Sequence, residues 1–247
     1  MPQNNVNAAD FSPVGYVGNE KGPVYVALGD DIACGAGLNN PASESYTSLV
    51  GEAINASKVI NLGVEGITST QLLANIQDGI NKGAGNKIYD ALVQADIITL
   101  NVGFGELLGQ YIPLLANELE IDTNGKTDAQ LLEEIRLEII AKSQTPRVWA
   151  DTSFALLKAM NTKEFDKFFY VQVALSNNLN SIVSQIKTVS PNAQIHILNV
   201  YTPYAGVVFS GSNGERTILE FEHVFGSLTR INTMIKNNDR LKDILWI

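Results

Sequence analysis

Three short, largely apolar runs in this chain each end on a glycine: Val24–Leu28 before Gly29, Val59–Leu62 before Gly63, and Ala95–Val102 before Gly103. Short runs closed in this way mark strands buried on both faces of a parallel sheet. Gln194–Tyr201 is a fourth such run, and Ile244–Ile247 is a candidate fifth. Between them the apolar spacing turns helical. Ser43–Ile54 carries Tyr46, Leu49, Val50, Ala53 and Ile54 on one face, with Ser43 or Ser45 as its cap. Thr68–Ile80 places Leu72, Leu73, Ile76 and Ile80 in the same way. Thr127 and Gln130 form a capping-box pattern ahead of Leu131, Leu132 and Ile135. Lys163–Val189 reads as one long helix ended by Pro191, and Leu228–Lys236 as a further one.

Strands alternating with helices predict a parallel sheet covered on both faces, because right-handed crossovers place a helix over every connection. The expected architecture is a three-layer α/β sandwich around a five-stranded parallel sheet. Ligands of such sheets sit beyond the carboxyl ends of the strands. The turns Gly29–Gly37, Gly63–Thr68 and Gly103–Leu107 should therefore share one edge. Residues 1–22 read as an irregular leader, broken by Pro2, Pro13, Gly15, Gly18 and Gly22. Residues 23–247 read as a single domain with a helical insertion at about 107–165.

Composition narrows the function classes. With 247 residues, 45% of them hydrophobic, the chain is long enough to bury a full core. Its 26 acidic against 17 basic side chains give a formal charge of -9, which argues against nucleic acid or an anionic membrane as partner. No apolar stretch reads as a membrane span. The polar, Asn-rich start, Met1–Asn19, lacks the charge and apolar pattern of a signal peptide. Cys34 is the only cysteine, so no intrachain disulfide forms, and its place in a Gly-rich turn reads as packing.

The stretch Tyr25–Leu38, with its turn Gly29-Asp30-Asp31, resembles the first sequence block of the GDSL, or SGNH, hydrolases. In that family the turn is Gly-Asp-Ser and the Ser is the nucleophile. Glu44–Leu49 resembles the segment that follows. Asn61–Ser69 is similar to the second block, whose Gly gives a backbone N–H to the oxyanion hole, and Gly66 matches it. Ala95–Gly103 resembles the run into the third block, and Ser190–Tyr201 the fourth strand with its lead-in. The resemblance spans roughly 24–103 and 175–238. It implies a flavodoxin-like SGNH fold, ester hydrolysis without cofactor or metal, and a small ester or acylated carbohydrate as ligand.

The departures fall on the catalytic positions. Asp31 stands where the family has its Ser. The third block ends Gly103-Phe104-Gly105-Glu106, so Gly105 stands where the family has an oxyanion-binding Asn. The Asp-x-x-His that supplies the base does not occur before Ile247, so the last segment of the fold is expected to be missing. His196 and His223 lie in no matching context. The serine route needs a hydroxyl, an imidazole and donors aimed at the oxyanion. Losing one such donor alone costs on the order of 3 kcal/mol of transition-state stabilisation. The residues thus favour a catalytically inactive hydrolase-like protein retained for binding or assembly. Two alternatives stay open. One is an active esterase, acyl hydrolase or carbohydrate deacetylase whose base lies beyond Ile247 or on another chain. The other is a structural, self-assembling protein.

Plainer roles compete at each position. Asp31 reads as a helix N-cap rather than a nucleophile. Asp30, Asp31 and Glu106 read as a solvated acidic rim rather than a cation site. His196 reads as a half-buried, hydrogen-bonded strand residue, and His223 as a surface one. Phe165, Phe168, Phe169 and Tyr170 read as core, while Tyr201, Tyr204 and Phe209 line a groove or pack as a flap. An unshielded end at Leu245–Ile247 is an expected self-association surface.

Overall fold

Tyr25 and Ala27 on one side, and Val26 and Leu28 on the other, are all fully buried, so the strand that carries them is covered on both faces. The computed structural model describes residues 15–17, 21–148, 150–152, 155, 165–200, 208–210, 216–218, 232–233, 236–237 and 245–246. The first half runs β1 (Gly15–Val17), β2 (Val24–Gly29), α1 (Asp31–Cys34), α2 (Pro41–Glu44), α3 (Tyr46–Ala53), β3 (Lys58–Gly63), α4 (Ser69–Lys82), α5 (Lys87–Val93) and β4 (Ile97–Asn101). The rest runs α6 (Phe104–Glu118), α7 (Asp128–Ser143), α8 (Phe165–Val189), β5 (Gln194–Ile197), β6 (Val208–Ser210), β7 (Arg216–Ile218) and β8 (Leu245–Trp246).

The main sheet has the order β1-β3-β2-β4-β5-β8, and β6 pairs with β7 in a separate ribbon. Every pairing from β3 through β8 is parallel, with Val26 beside both Ile60 and Ile98, and Ile98 beside Ile195. Four of the parallel strands are well developed. Of the fifth strand expected over 244–247, the two described residues, Leu245 and Trp246, pair parallel with β5. The chain steps from β2 to β3 in one direction, then back past β2 to β4 and on to β5. With right-handed crossovers, that reversal puts α3 on one face and α4, α5 and α8 on the other. On the α3 face, Tyr25, Ala27, Ala56 and Val59 form a buried cluster, with Val50, Ile54 and Ile97 packed against it.

Several expectations shift. Residues 15–17 are a strand, not irregular leader: β1 pairs antiparallel with β3, Gly15 beside Ile60, and so satisfies edge backbone groups of β3. The helix expected over 43–54 is two, because Ser45 is extended (φ -66, ψ 150) and its hydroxyl accepts from the Ser48 N–H to start α3. The strand expected over 194–201 stops at Ile197. The capping box at Thr127 and Gln130 is formed, and α4 has another from Thr68 and Gln71. Of the helix expected over 228–236, only 232–233 and 236 lie within the described residues, and these are helical.

The chain is built as two compact units. One comprises Met1–Pro2, Leu107–Gln172 and Tyr201–Arg230, and contains the stretch 107–165. Its described core joins Ile112, Ala116 and Leu119 to Leu131 and Ile135. The other comprises Gln3–Glu106, Val173–Val200 and Ile231–Ile247, and carries the main sheet. No helix among the described residues is long and apolar enough to cross a membrane.

Candidate functional site

The site is built where β2, β3 and β4 end. Gly29 closes β2 with φ +149, and a Cβ there would lie 1.9 Å from the Asn101 carbonyl oxygen. Only glycine lets the two strand ends come this close. The next residue, Asp30, donates its backbone N–H to that same oxygen at 2.9 Å. Its side chain turns inward. Oδ1 accepts from the Ile32 N–H at 3.4 Å, and Oδ2 accepts from the Phe104 N–H at 3.2 Å. Asp30 therefore caps α1 and also anchors the start of α6, across the gap between β2 and β4.

Asp31 is the first residue of α1, not its cap; with two aspartates in a row, the one at the end of the strand takes that role. This leaves the Asp31 carboxylate free to reach sideways. Its Oδ2 accepts the Gly66 N–H at 3.0 Å. Gly105 faces the same turn from α6: a Cβ there would sit 2.9 Å from the Ile67 carbonyl oxygen and 3.4 Å from that of Gly66. The structure thus brings Asp31, Gly66 and Gly105 together. Backbone carbonyls press into the space that a side chain at 105 would need.

Glu106 completes the cluster from α6. Its Oε1 accepts the Ser69 N–H at the start of α4, while its Oε2 is buried without a hydrogen-bond partner. The Asn178 amide of α8 donates to Ser69 Oγ and Thr70 Oγ1, both at 2.9 Å. The expected solvated rim is not what forms, because Asp30 is 1% exposed and the Glu106 carboxyl is turned inward. Burial raises the Asp30 carboxyl to about 7, with the charge of Asp31 and then Glu106 adding, against the Ile32 and Phe104 N–H groups. Burial also raises Glu106, opposed by its hydrogen bonds to Ser69. Cys34, half-buried, donates to the Asp31 carbonyl at 3.3 Å; burial and the charges of Asp31, Glu65 and Asp30 raise its thiol. Among the described residues, no group of three or more His, Cys, Asp or Glu is placed to hold a metal ion.

Beneath the site, on the α3 face, a polar set is buried in the core. Tyr25 OH lies 2.7 Å from Thr99 Oγ1, and Tyr46 OH lies 3.3 Å from it. Burial raises both phenols, Tyr46 to about 12. His196 pairs with Thr99 in register across β4 and β5. Its Nδ1 is buried with no partner, contrary to the satisfied strand histidine expected, and burial lowers its pKa. His223, Tyr201 and Tyr204 lie outside the described residues, as do the side chains of Phe165, Phe168, Phe169, Tyr170 and Phe209. Ser69 and Asn178 went unflagged in the sequence. Ser69 closes the stretch that resembles the second block and lies inside the Thr68–Gln71 capping pattern, while nothing in the sequence points to Asn178.

No family profile and no curated protein matches the sequence. Solved structures do. The lipase Lip_vut3 from a goat rumen metagenome matches with a TM-score of 0.50 and 17% identity, over 91% of this chain and 80% of that one. The SGNH-hydrolase family esterase AlinE4 matches at 0.46 and 14%, over 92% and 76% of the two chains. Phospholipase A1 from Streptomyces albidoflavus NA297 matches at 0.47 and 16%, over 91% and 78%. At such identities the likeness is one of fold. Together with the strand order, the match to the lipase Lip_vut3 gives this chain an α/β fold of the same kind, built on a parallel sheet.

Proposed function

We propose that this protein is an SGNH-fold chain whose hydrolytic centre is silenced, and which serves in binding or assembly rather than ester cleavage. The observation that carries this reading is the hydrogen bond from the Gly66 N–H to Asp31 Oδ2. An oxyanion hole works by leaving donors free for charge that develops in the transition state. Here a resident carboxylate already occupies the donor, and its negative charge opposes a second anion beside it. A carboxylate is also a weak attacker on an unactivated ester.

Gly105 supports the same reading. The oxyanion-binding Asn that the resemblance implies has no counterpart at 105, and the Ile67 carbonyl oxygen stands 2.9 Å from where its Cβ would lie, too close for an unshifted side chain. Losing nucleophile and donor together removes several kcal/mol of transition-state stabilisation, on the order of 3 kcal/mol for the donor alone.

The test is hydrolysis of a short-chain nitrophenyl ester by the chain and by its Asp31→Ala and Asp31→Ser variants. Labelling with a fluorophosphonate serine probe runs alongside. No turnover and no labelling are expected for the parent or for Asp31→Ala. Turnover by the parent that Asp31→Ala abolishes would overturn the proposal.

A further inference from the structure

At the strand tips three carboxyl groups each hold backbone N–H groups of different segments: Asp30 those of Ile32 and Phe104, Asp31 that of Gly66, and Glu106 that of Ser69. They differ in access to water. Asp30 is buried and Glu106 Oε2 has no partner, whereas Asp31 is half-exposed and Gly66 exposed. The groups that face the cluster are neutral or acidic: Cys34 on α1, Tyr46 on α3, Glu65 in the turn after β3, and the three carboxyls themselves. None of the ion pairs among the described residues involves these carboxyls. Like charge held close, with burial and no cation, is repelled with little screening.

We propose that Asp31 is a pH-gated plug: it stays on the Gly66 N–H while Asp30 and Glu106 hold their protons, and it is driven toward solvent, uncovering that donor, when they ionise. Asp30 cannot yield, since two N–H groups from α1 and α6 grip it inside the fold. Asp31 can, because it lies at the surface and has one described hydrogen bond to lose. The charge of Asp31 is the largest contribution after burial to keeping the proton on Asp30. The repulsion is mutual, so an ionised Asp30 pushes against the half-exposed Asp31 side chain next to it in the chain. The block on the oxyanion donor is therefore firmest on the acid side of neutrality and loosens above it. The gate itself is a matter of charge and geometry; only the meaning of an uncovered donor rests on the silenced-centre reading.

The experiment is an NMR titration of the full chain from about pH 5 to about pH 9, following the Gly66 amide shift and its exchange rate corrected for base catalysis. A single transition centred near neutrality is expected, with corrected exchange rising roughly tenfold for each pKa unit of coupling. Asp30→Asn should hold the Gly66 amide close to its low-pH state, leaving only a smaller response from Glu106. Glu106→Gln should keep the transition but move it to lower pH, which covers the case in which Asp30→Asn fails to fold. A Gly66 signal flat across the range in the parent chain, or a transition unmoved in both variants, would overturn the gate. Neither readout depends on ester turnover, so this proposal and the silenced centre fail separately.

Discussion

Asn61 donates from its side-chain Nδ2 to the Ala33 carbonyl oxygen over 2.6 Å, fastening the end of α1 to β3 from beneath the site. The other end of the same amide accepts the Gly63 N–H at 2.8 Å, and Thr47 Oγ1 donates to the Ala33 oxygen at 3.0 Å. Asn61 is buried, so its removal strands polar groups away from water. Asn61→Ala should lower stability by about 2–3 kcal/mol, measured as a shift in urea midpoint. Asn61→Asp should do at least as much harm, since it replaces the donor to Ala33 with an acceptor.

Asp30 gives stability a pH dependence. Its carboxyl titrates at about 7 when folded, against an ordinary 3.8, so the folded chain holds a proton that the unfolded chain has released. The contribution is whole below 3.8, is lost as pH rises from there to about 7, and levels off above that. Thermal midpoints should fall from pH 4 to pH 7, by at most about 1.4 kcal/mol of stability per pH unit from this group. The drop should be shallower in Asp30→Asn, and a parallel pH profile in that variant would refute the assignment.

Gly63 is irreplaceable for steric reasons. A Cβ there would lie 2.4 Å from the backbone nitrogen of Cys34 and 2.8 Å from the Ala33 Cβ. Because the obstacle is backbone, it cannot swing aside, so Gly63→Ala should destabilise by roughly 2–3 kcal/mol or prevent folding. Gly83→Ala makes a useful contrast. There, φ is +67 but nothing lies within 4 Å, so the strain is conformational only and the loss should be nearer 1 kcal/mol.

Cys34 should react slowly. Its raised thiol keeps the thiolate scarce at neutral pH, and Asp31 contributes to that shift. Alkylation by iodoacetamide should be slower than for a free thiol and should quicken in Asp31→Asn. Equal rates in the two chains would show that access, not charge, limits Cys34.

Ser69 marks the limit of repairing the site by substitution. Restoring the nucleophile position with Asp31→Ser leaves Glu106 gripping the Ser69 N–H and the Ile67 carbonyl against residue 105. Adding Gly105→Asn to Asp31→Ser should therefore gain less than the roughly hundredfold usually attached to one oxyanion donor. A larger gain in ester hydrolysis would mean that the Gly66–Ile67 turn yields readily.

The strands were legible because burial on both faces writes a continuous apolar run, and the turns because only glycine closes them. What escaped depends on neighbours distant in sequence. Asp30 and Asp31 offer the same chemistry to a cap, and only the approach of Phe104, 74 residues on, decides which turns inward. Asn178 meets Ser69 across 109 residues, with no periodicity to announce it. Glu106 looks like any helix-opening acid until packing hides one of its oxygens, and the unpartnered Nδ1 of His196 likewise shows only in three dimensions. Strand β1 is too short to show a two-residue repeat.

That small strand has a further consequence. Without it, β3 would present bare amides and carbonyls along Lys58–Ile60, the kind of open template that recruits extended segments from neighbouring molecules. Trimming the chain as far as Val17 should thus convert a well-behaved solution into one that clumps on standing, even though no residue of the catalytic-like hollow has been touched.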